Sequence, residues 1–354
     1  MKNIYVLHEY GDKRHFESLQ FYARKQGKNI YYREFTPFKQ FIKGILKKDI
    51  ALLKKAFTNL FFLINLLITK DKVVILGAAP YDFRILLFLF IKKRHKLIYF
   101  SSWPYWNREK YPKKLFFPFQ FYLWERFLNN IKAVMVSKTG MKNICKYTKD
   151  VTNIPHVVDI NIFKPMKKRK NTQLNIAYVG RLVESKGLDL IINLIKDPLL
   201  ENKIHWSIVG WGDYEERIKQ LANNRENVTF YGRINSKKEL ANIYNMNDLL
   251  LLPSIRQKNW EELFGIVIIE AMACGVIPIA SAHTGPREII DDQKNGFLLN
   301  ETNEKEIKEI LIRLIHNKEI LENMRESALK DIQEKYTVVQ NSIKWGKVVE
   351  SLHE

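Results

Sequence analysis

Asn175-Ile-Ala-Tyr-Val-Gly180-Arg181-Leu-Val-Glu-Ser-Lys186-Gly187 sets the pattern for the whole chain. A β-branched, apolar run stops at a glycine. Two cations follow five positions apart, and a segment of helical length comes next. The same rhythm recurs in both directions. Strands are predicted at Asn3–Leu7, Val73–Gly77, Leu97–Ser101, Ala133–Ser137, Asn175–Gly180, His205–Gly210, Val228–Gly232, Asp248–Pro253 and Val276–Ser281. Helical stretches separate most of them. Alternation of this kind predicts an α/β fold with parallel sheets built from βαβ units. Many of the strands end in Gly, Ser or Pro, and open α/β sheets bind ligands beyond their strand ends.

The rhythm breaks once, at Asn161–Gln173, where Pro165 and the run Lys167-Lys-Arg-Lys170 precede a fresh strand at Leu174. Two domains are therefore expected, at 1–164 and 165–336, with a C-terminal helix at 337–354 packing back on the first. Apolar residues make up 46% of the 354, enough for real cores and against disorder. Residues 303–333 read as two helices with i,i+4 charge pairs.

Charge divides along the same line. Residues 1–164 hold 31 Lys/Arg against 11 Asp/Glu, a net +20, while 165–354 hold 27 of each. A basic half implies an anionic partner, or else a lysine-rich solvating surface. Three runs in that half mix apolar and basic residues: the charge-free span between Lys55 and Lys70, Ile85–Ile91 before Lys92-Lys93-Arg94, and the aromatic stretch from Lys113 to Trp124. The first is too short to span a bilayer comfortably. Each run singly suits a buried helix; together they suit docking on anionic lipid. No nucleic-acid recognition motif is present, so nucleic acid is not expected as a partner. Cys145 and Cys274 lie far apart without metal-type spacing and read as free thiols of a reducing compartment. No secretory leader precedes the Asn3–Leu7 strand, so a cytoplasmic location is expected, peripheral on the inner face of the plasma membrane.

Chemistry-bearing loops concentrate in the second half. Arg181 and Lys186 suit a diphosphate, the one chelating oxygens bidentately and the other supplying a compact charge. Ile208-Val-Gly210-Trp-Gly212-Asp permits close backbone approach, although it lacks the third glycine of a dinucleotide fingerprint. Glu262-Leu-Phe264-Gly265-Ile266 should open a helix whose free N–H groups favour phosphate. Glu270 lies further along this apolar helix. A carboxylate buried there needs hydrogen-bond donors, which ribose hydroxyls or neighbouring protein groups would supply.

These motifs carry a resemblance. Gly-Arg-x4-Lys-Gly, then Pro-Ser, then Glu262-x7-Glu270 followed by Ala-Met-Ala-Cys-Gly275, resemble the family-four retaining glycosyltransferases (glycosyl transferases group 1) of the GT-B fold. Ile154-Pro-His-Val-Val-Asp159, Tyr231-Gly232-Arg233, Gly285-Pro-Arg-Glu288 and Asn295-Gly296 stand in the family order. The likeness covers about residues 150–300. It implies two Rossmann-like domains facing across a cleft, with a nucleotide diphosphate sugar on the C-terminal one. Arg181 and Lys186 would bind the diphosphate, Glu270 the ribose, and the backbone at Arg233-Ile234 would face the base. Glu262 with the Phe264-Gly265-Ile266 backbone would contact sugar and phosphate, and the turns at Gly180 and Gly210 would admit the nucleotide.

The first half departs from the family pattern. The usual paired glycines after the first strand are reduced to Gly11, the remaining expected nucleotide-sugar contact, and no histidine stands in Ser101-Ser-Trp103-Pro-Tyr-Trp106. His8 is a substitute or a polar cap; Trp103 and Trp106 stack on an acceptor sugar or fill the core. The expectation is thus a retaining transferase of the EC 2.4 type without a metal or other cofactor. No Asp-x-Asp motif is present, and cations stand where an ion would. The acceptor expected is a lipid-linked or cell-surface polysaccharide. A non-catalytic sugar-nucleotide or membrane-binding subunit, or a nucleotide-sugar epimerase of the same fold, are the alternatives.

Overall fold

The computed structural model describes residues 3–9, 13–106, 115–166, 173–257, 260–300, 302–317 and 319–352. Gly11, Lys113 and the Lys167–Lys170 run lie outside them. The chain divides into two compact units, Met1–His156 with Val338–Glu354, and Val157–Thr337. The first division, at His156/Val157, falls eight residues before 164/165, and Val158 already bridges to Thr337 within the second unit.

In the first unit, β1 (Ile4–His8), α1 (Glu17–Lys25), β2 (Ile30–Glu34), α2 (Pro37–Leu46), α3 (Ile50–Ile68) and β3 (Val73–Gly77) come first. After them come α4 (Ile85–Arg94), β4 (Lys96–Ser101), α5 (Gln120–Leu128), β5 (Lys132–Met135), α6 (Lys138–Ile144) and β6 (Val151–Asn153). The strands form one parallel sheet in the order β2-β1-β3-β4-β5-β6. With right-handed crossovers, the reversal of direction after β2 puts α1 on one face and α3 to α6 on the other. A cluster of buried residues under α3, α4 and α5, including Phe62, Leu66, Phe88, Trp124 and Phe127, fills that second face.

The second unit contains β7 (Leu174–Val179), α7 (Leu188–Lys196), β8 (Ile204–Val209), α8 (Glu215–Asn223), β9 (Val228–Gly232), α9 (Lys237–Asn245) and β10 (Leu249–Leu252). It continues with α10 (Ile266–Ala273), β11 (Ile277–Ser281), α11 (Pro286–Ile289), β12 (Phe297–Leu299), α12 (Glu304–His316) and α13 (Glu319–Lys335). Its parallel sheet runs β12-β11-β10-β7-β8-β9. The strands β7 and β10 are buried along their whole length, as befits central strands with helices on both faces; β10 is an unbroken run of four leucines, while β7 also buries Asn175 and Tyr178. The chain steps outward from β7 to β9, then crosses back to β10. The loops after β7 and β10 therefore diverge at neighbouring strand ends, the topological switch point where open sheets bind ligands.

The last helix, α14 (Val338–Glu350), belongs to the first unit and packs against α1. Its buried Trp345 stacks on Phe100, with centroids 6.2 Å apart.

Candidate functional site

The loops leaving β7, β8 and β9 are tied together by their backbones. Gly180 N–H donates to Val209 O (3.1 Å), Leu182 N–H to Trp211 O (2.8 Å) and Gly210 N–H to Gly232 O (2.9 Å). Gly210 makes this closeness possible. Its φ is +154°, and a Cβ there would stand 1.9 Å from the Gly180 carbonyl oxygen. Arg181 follows immediately, exposed and, among the described residues, in no ion pair. Next along this ledge, the Arg233 guanidinium lies 4.4 Å from the centroid of the Trp211 ring, a cation–π stack that fixes both side chains at adjacent strand ends. Ile234 follows, half-buried.

On the other side of β7 its loop meets the segment after β10, where Ile255 N–H donates to Ser185 O (2.9 Å). Here Lys186 and Glu262 form an ion pair, with side chains only 11% and 16% exposed. The Lys186 ammonium also lies 4.9 Å from the Trp260 ring centroid. Beneath them the buried Tyr178 hydroxyl donates to Arg181 O (2.6 Å). Burial above all, and then the Glu262 charge, push this phenol well above its ordinary range, against the pull of Arg181.

The turn after β11 holds Glu262 from behind. His283, 5% exposed, accepts the Glu262 backbone N–H on Nδ1 at 3.1 Å. That role requires the neutral ring. Burial, and then Arg256, lower its pKa in the same sense, opposed by Glu261 and Glu262. The adjacent carboxylates therefore divide. Glu261 is buried, and its Oε2 accepts both the N–H and the hydroxyl of Thr284 (3.1 Å each), while Glu262 turns to Lys186.

Gly265 caps α10 with φ +90°, a left-handed conformation that side chains resist, and Phe264 before it is buried. The N–H groups of Ile266 and Val267 that open α10 have no acceptor inside the helix, whereas Ile268 N–H donates to the Gly265 carbonyl (2.9 Å). Glu270 is half-buried rather than buried, and the Tyr244 hydroxyl lies 3.4 Å from its Oε2. Part of the demand for donors is thus met by protein.

The structure brings Lys186 and Glu262 into contact, pairs Arg233 with Trp211, and sets Gly180 and Gly210 in one ledge with Arg181. In the first unit, His8 ends β1 with its ring against Gly77, and Trp106 is buried among Tyr81, Tyr99 and Tyr147. Trp106 is core, because its ring completes the aromatic cluster over β4. Trp103 is half-buried against Tyr105. Sequence reasoning missed Tyr178, Trp260, Glu261 and His283. Only His283 left a trace, as a polar residue just past the end of the β11 strand.

Residues 159–331 match the sequence model of the family described as glycosyl transferases group 1. An uncharacterized glycosyltransferase of Methanocaldococcus jannaschii is 30% identical over 205 residues, which is 56% of this chain and 50% of that protein. An uncharacterized 41.2 kDa protein in the cps region of Klebsiella pneumoniae is 36% identical over 141 residues, 39% of this chain and 36% of its own length. The chain spans about half the length of the curated relatives it matches. Among solved structures, Anabaena HepE in complex with UDP superposes with a TM-score of 0.68 at 16% identity, covering 99% of this chain and 100% of that one. Residues 159–331 belong to the glycosyl transferases group 1 family, and the two units carry the Rossmann-like sheets of the GT-B fold.

Proposed function

We propose that the chain transfers a sugar from a nucleotide diphosphate sugar to an acceptor hydroxyl, retaining the anomeric configuration and using no metal ion. The observation that carries this reading is the set of groups at the β7/β10 switch point: the exposed Arg181 guanidinium, in no ion pair among the described residues, the Lys186–Glu262 pair and the amino end of α10. Departure of a nucleoside diphosphate builds negative charge on phosphate. Fixed cations and helix N–H groups stabilise that charge without reorganising, which is often the largest catalytic contribution. In this reading Arg181 and Lys186 meet the diphosphate, Glu262 holds Lys186 and reaches toward the sugar, and Glu270 with the Tyr244 hydroxyl meets the ribose. Arg233 and Ile234 border the base. Gly180, Gly210 and Gly265 let the backbone come close, beside Phe264 and Ile266.

The acceptor in this reading is a lipid-linked or cell-surface polysaccharide reached at the cytoplasmic face of the membrane. The net +20 of residues 1–164 supports it. The test is nucleoside diphosphate release from a panel of nucleotide sugars, with and without a membrane lipid extract. Release from one donor that rises with the extract supports transfer to a lipid-linked acceptor. Binding without release under any condition would instead assign the chain a non-catalytic role. Product anomers assigned by NMR test retention, and EDTA-sensitive turnover would overturn the metal-free reading.

A further inference from the structure

Helices α2 and α3 are turned the wrong way for a water-facing surface. On α2 the buried positions are Pro37, Gln40 and Gly44, while Phe38, Ile42 and Ile45 face outward. On α3 the residues Phe57, Phe61 and Ile64 form a second outward line at the same spacing of four and three, which is one helix face. These six side chains are 44–74% exposed. The two outer faces join where Phe41 meets Phe57, with ring centroids 4.9 Å apart. Gly44 lets the helices close, since a Cβ there would come 2.8 Å from Leu53 Cδ2.

The orientation is enforced from within. Gln40 donates to the Glu34 carboxylate, Asn59 Nδ2 donates to Gln40 Oε1 (2.9 Å), and Glu34 N–H donates to Asn59 Oδ1 (3.1 Å). All three residues are buried. Rotating α2 to hide Phe38 and Ile42 would break this network and leave polar groups unsatisfied. Residues 37–70 contain seven lysines and one acid, Asp49. Lys55 pairs with Glu34 and Asp49 caps α3, which leaves six lysines around the apolar faces.

We propose that these faces of α2 and α3 dock the chain on a bilayer with anionic headgroups, lying in the interfacial layer and not crossing it. An apolar face rimmed by lysine matches that surface, with acyl chains beneath and negative charge above. A second copy would bring the same lysines against each other. At 19 residues, α3 is long and apolar enough to cross a membrane. Its Phe62, Leu63 and Leu66 nevertheless belong to the core of the first unit, and a spanning pose would strip them out.

The proposal deepens the membrane-side acceptor reading, but lipid binding is measured without donor or acceptor, so the two can fail separately. The experiment is cosedimentation of the full chain with phosphatidylglycerol/phosphatidylcholine vesicles and with phosphatidylcholine alone. Binding is expected only to the anionic vesicles. It should weaken at least about tenfold in F61E/I64E and at about 1 M salt, where the screening length is roughly 3 Å. An unchanged circular-dichroism melt of F61E/I64E shows that the fold is intact. Undiminished vesicle binding by that variant would overturn the proposal. So would a carbonate-resistant, spanning fraction, or a dimer broken by F61E/I64E with no vesicle binding by the wild type.

Discussion

Lys186 is held by two partners at once, the Glu262 carboxylate on one side and the Trp260 ring face, 4.9 Å away, on the other. Replacing it with alanine leaves a mostly buried carboxylate unpaired. Loss of one partner from a buried pair costs about 3–5 kcal/mol. Lys186→Ala should therefore lower stability as well as turnover. Adding Glu262→Gln should recover much of the stability and none of the turnover. Denaturant unfolding beside nucleoside diphosphate release reads both; recovery of activity in the double variant would refute an electrostatic role for Lys186.

Arg181 offers the complementary case. It is exposed and pairs with no described residue, so Arg181→Ala should leave stability within about 0.5 kcal/mol of wild type. Turnover should fall by about 2.7–4 kcal/mol of transition-state stabilisation, the scale for one lost oxyanion donor. Near-normal kcat in this variant would remove the diphosphate role.

The Trp211–Arg233 stack predicts a binding defect rather than a chemical one. Trp211→Ala removes the face under Arg233, an interaction of about 0.5–2 kcal/mol. Calorimetric titration with nucleoside diphosphate should show weaker affinity by that amount, with kcat little altered. A kcat loss at unchanged affinity would place this pair elsewhere in the reaction.

His283 gives the site a pH dependence of known sign. Its folded-state pKa is lowered, by burial first. Below the ordinary histidine value of about 6.5 the unfolded chain gains a proton that the folded chain resists, so stability falls as pH drops through that value. Protonation also removes the acceptor for the Glu262 N–H. Donor affinity should decline only further below that value, where the folded-state ring itself takes up the proton, and His283→Asn should flatten the profile. An identical pH profile in that variant would exonerate His283.

Two glycines should separate by mechanism. In Gly210→Ala the new Cβ meets the Gly180 carbonyl oxygen at 1.9 Å, and backbone cannot rotate away. Strain and overpacking together should cost about 2–5 kcal/mol. In Gly265→Ala the near atom is the tip of Ile268, a movable side chain, so the loss should stay near 1–2 kcal/mol for the left-handed backbone alone. Thermal denaturation of both ranks them.

The nine strands expected from sequence are present, with ends shifted by two residues at most. Three strands escaped notice: β2, β6 and β12. All three lie at sheet edges. The β2 sequence Ile-Tyr-Tyr-Arg-Glu buries little, and β6 and β12 are three residues each. Pairing on one side alone makes weak demands on composition, so these three edge strands leave little signal, while the edge strand β9 is legible through its β-rich Val-Thr-Phe-Tyr run. The site divided similarly. Glycines and cations at strand ends were legible because their chemistry is local to one loop. His283 and Trp260 matter only through residues 21 and 74 positions away, at Glu262 and Lys186, and no local spacing encodes that.

The interrupted layout of the first unit bears on how the chain is made. Its sheet is complete at residue 153, but Trp345 and the contact of Gly346 with Tyr22 arrive only after the whole second unit has been synthesised. During translation, then, the aromatic surface around Phe16 and Phe100 must wait for a helix that begins only at Val338. The first unit can therefore complete its packing only once the residues that follow the whole second unit have been made.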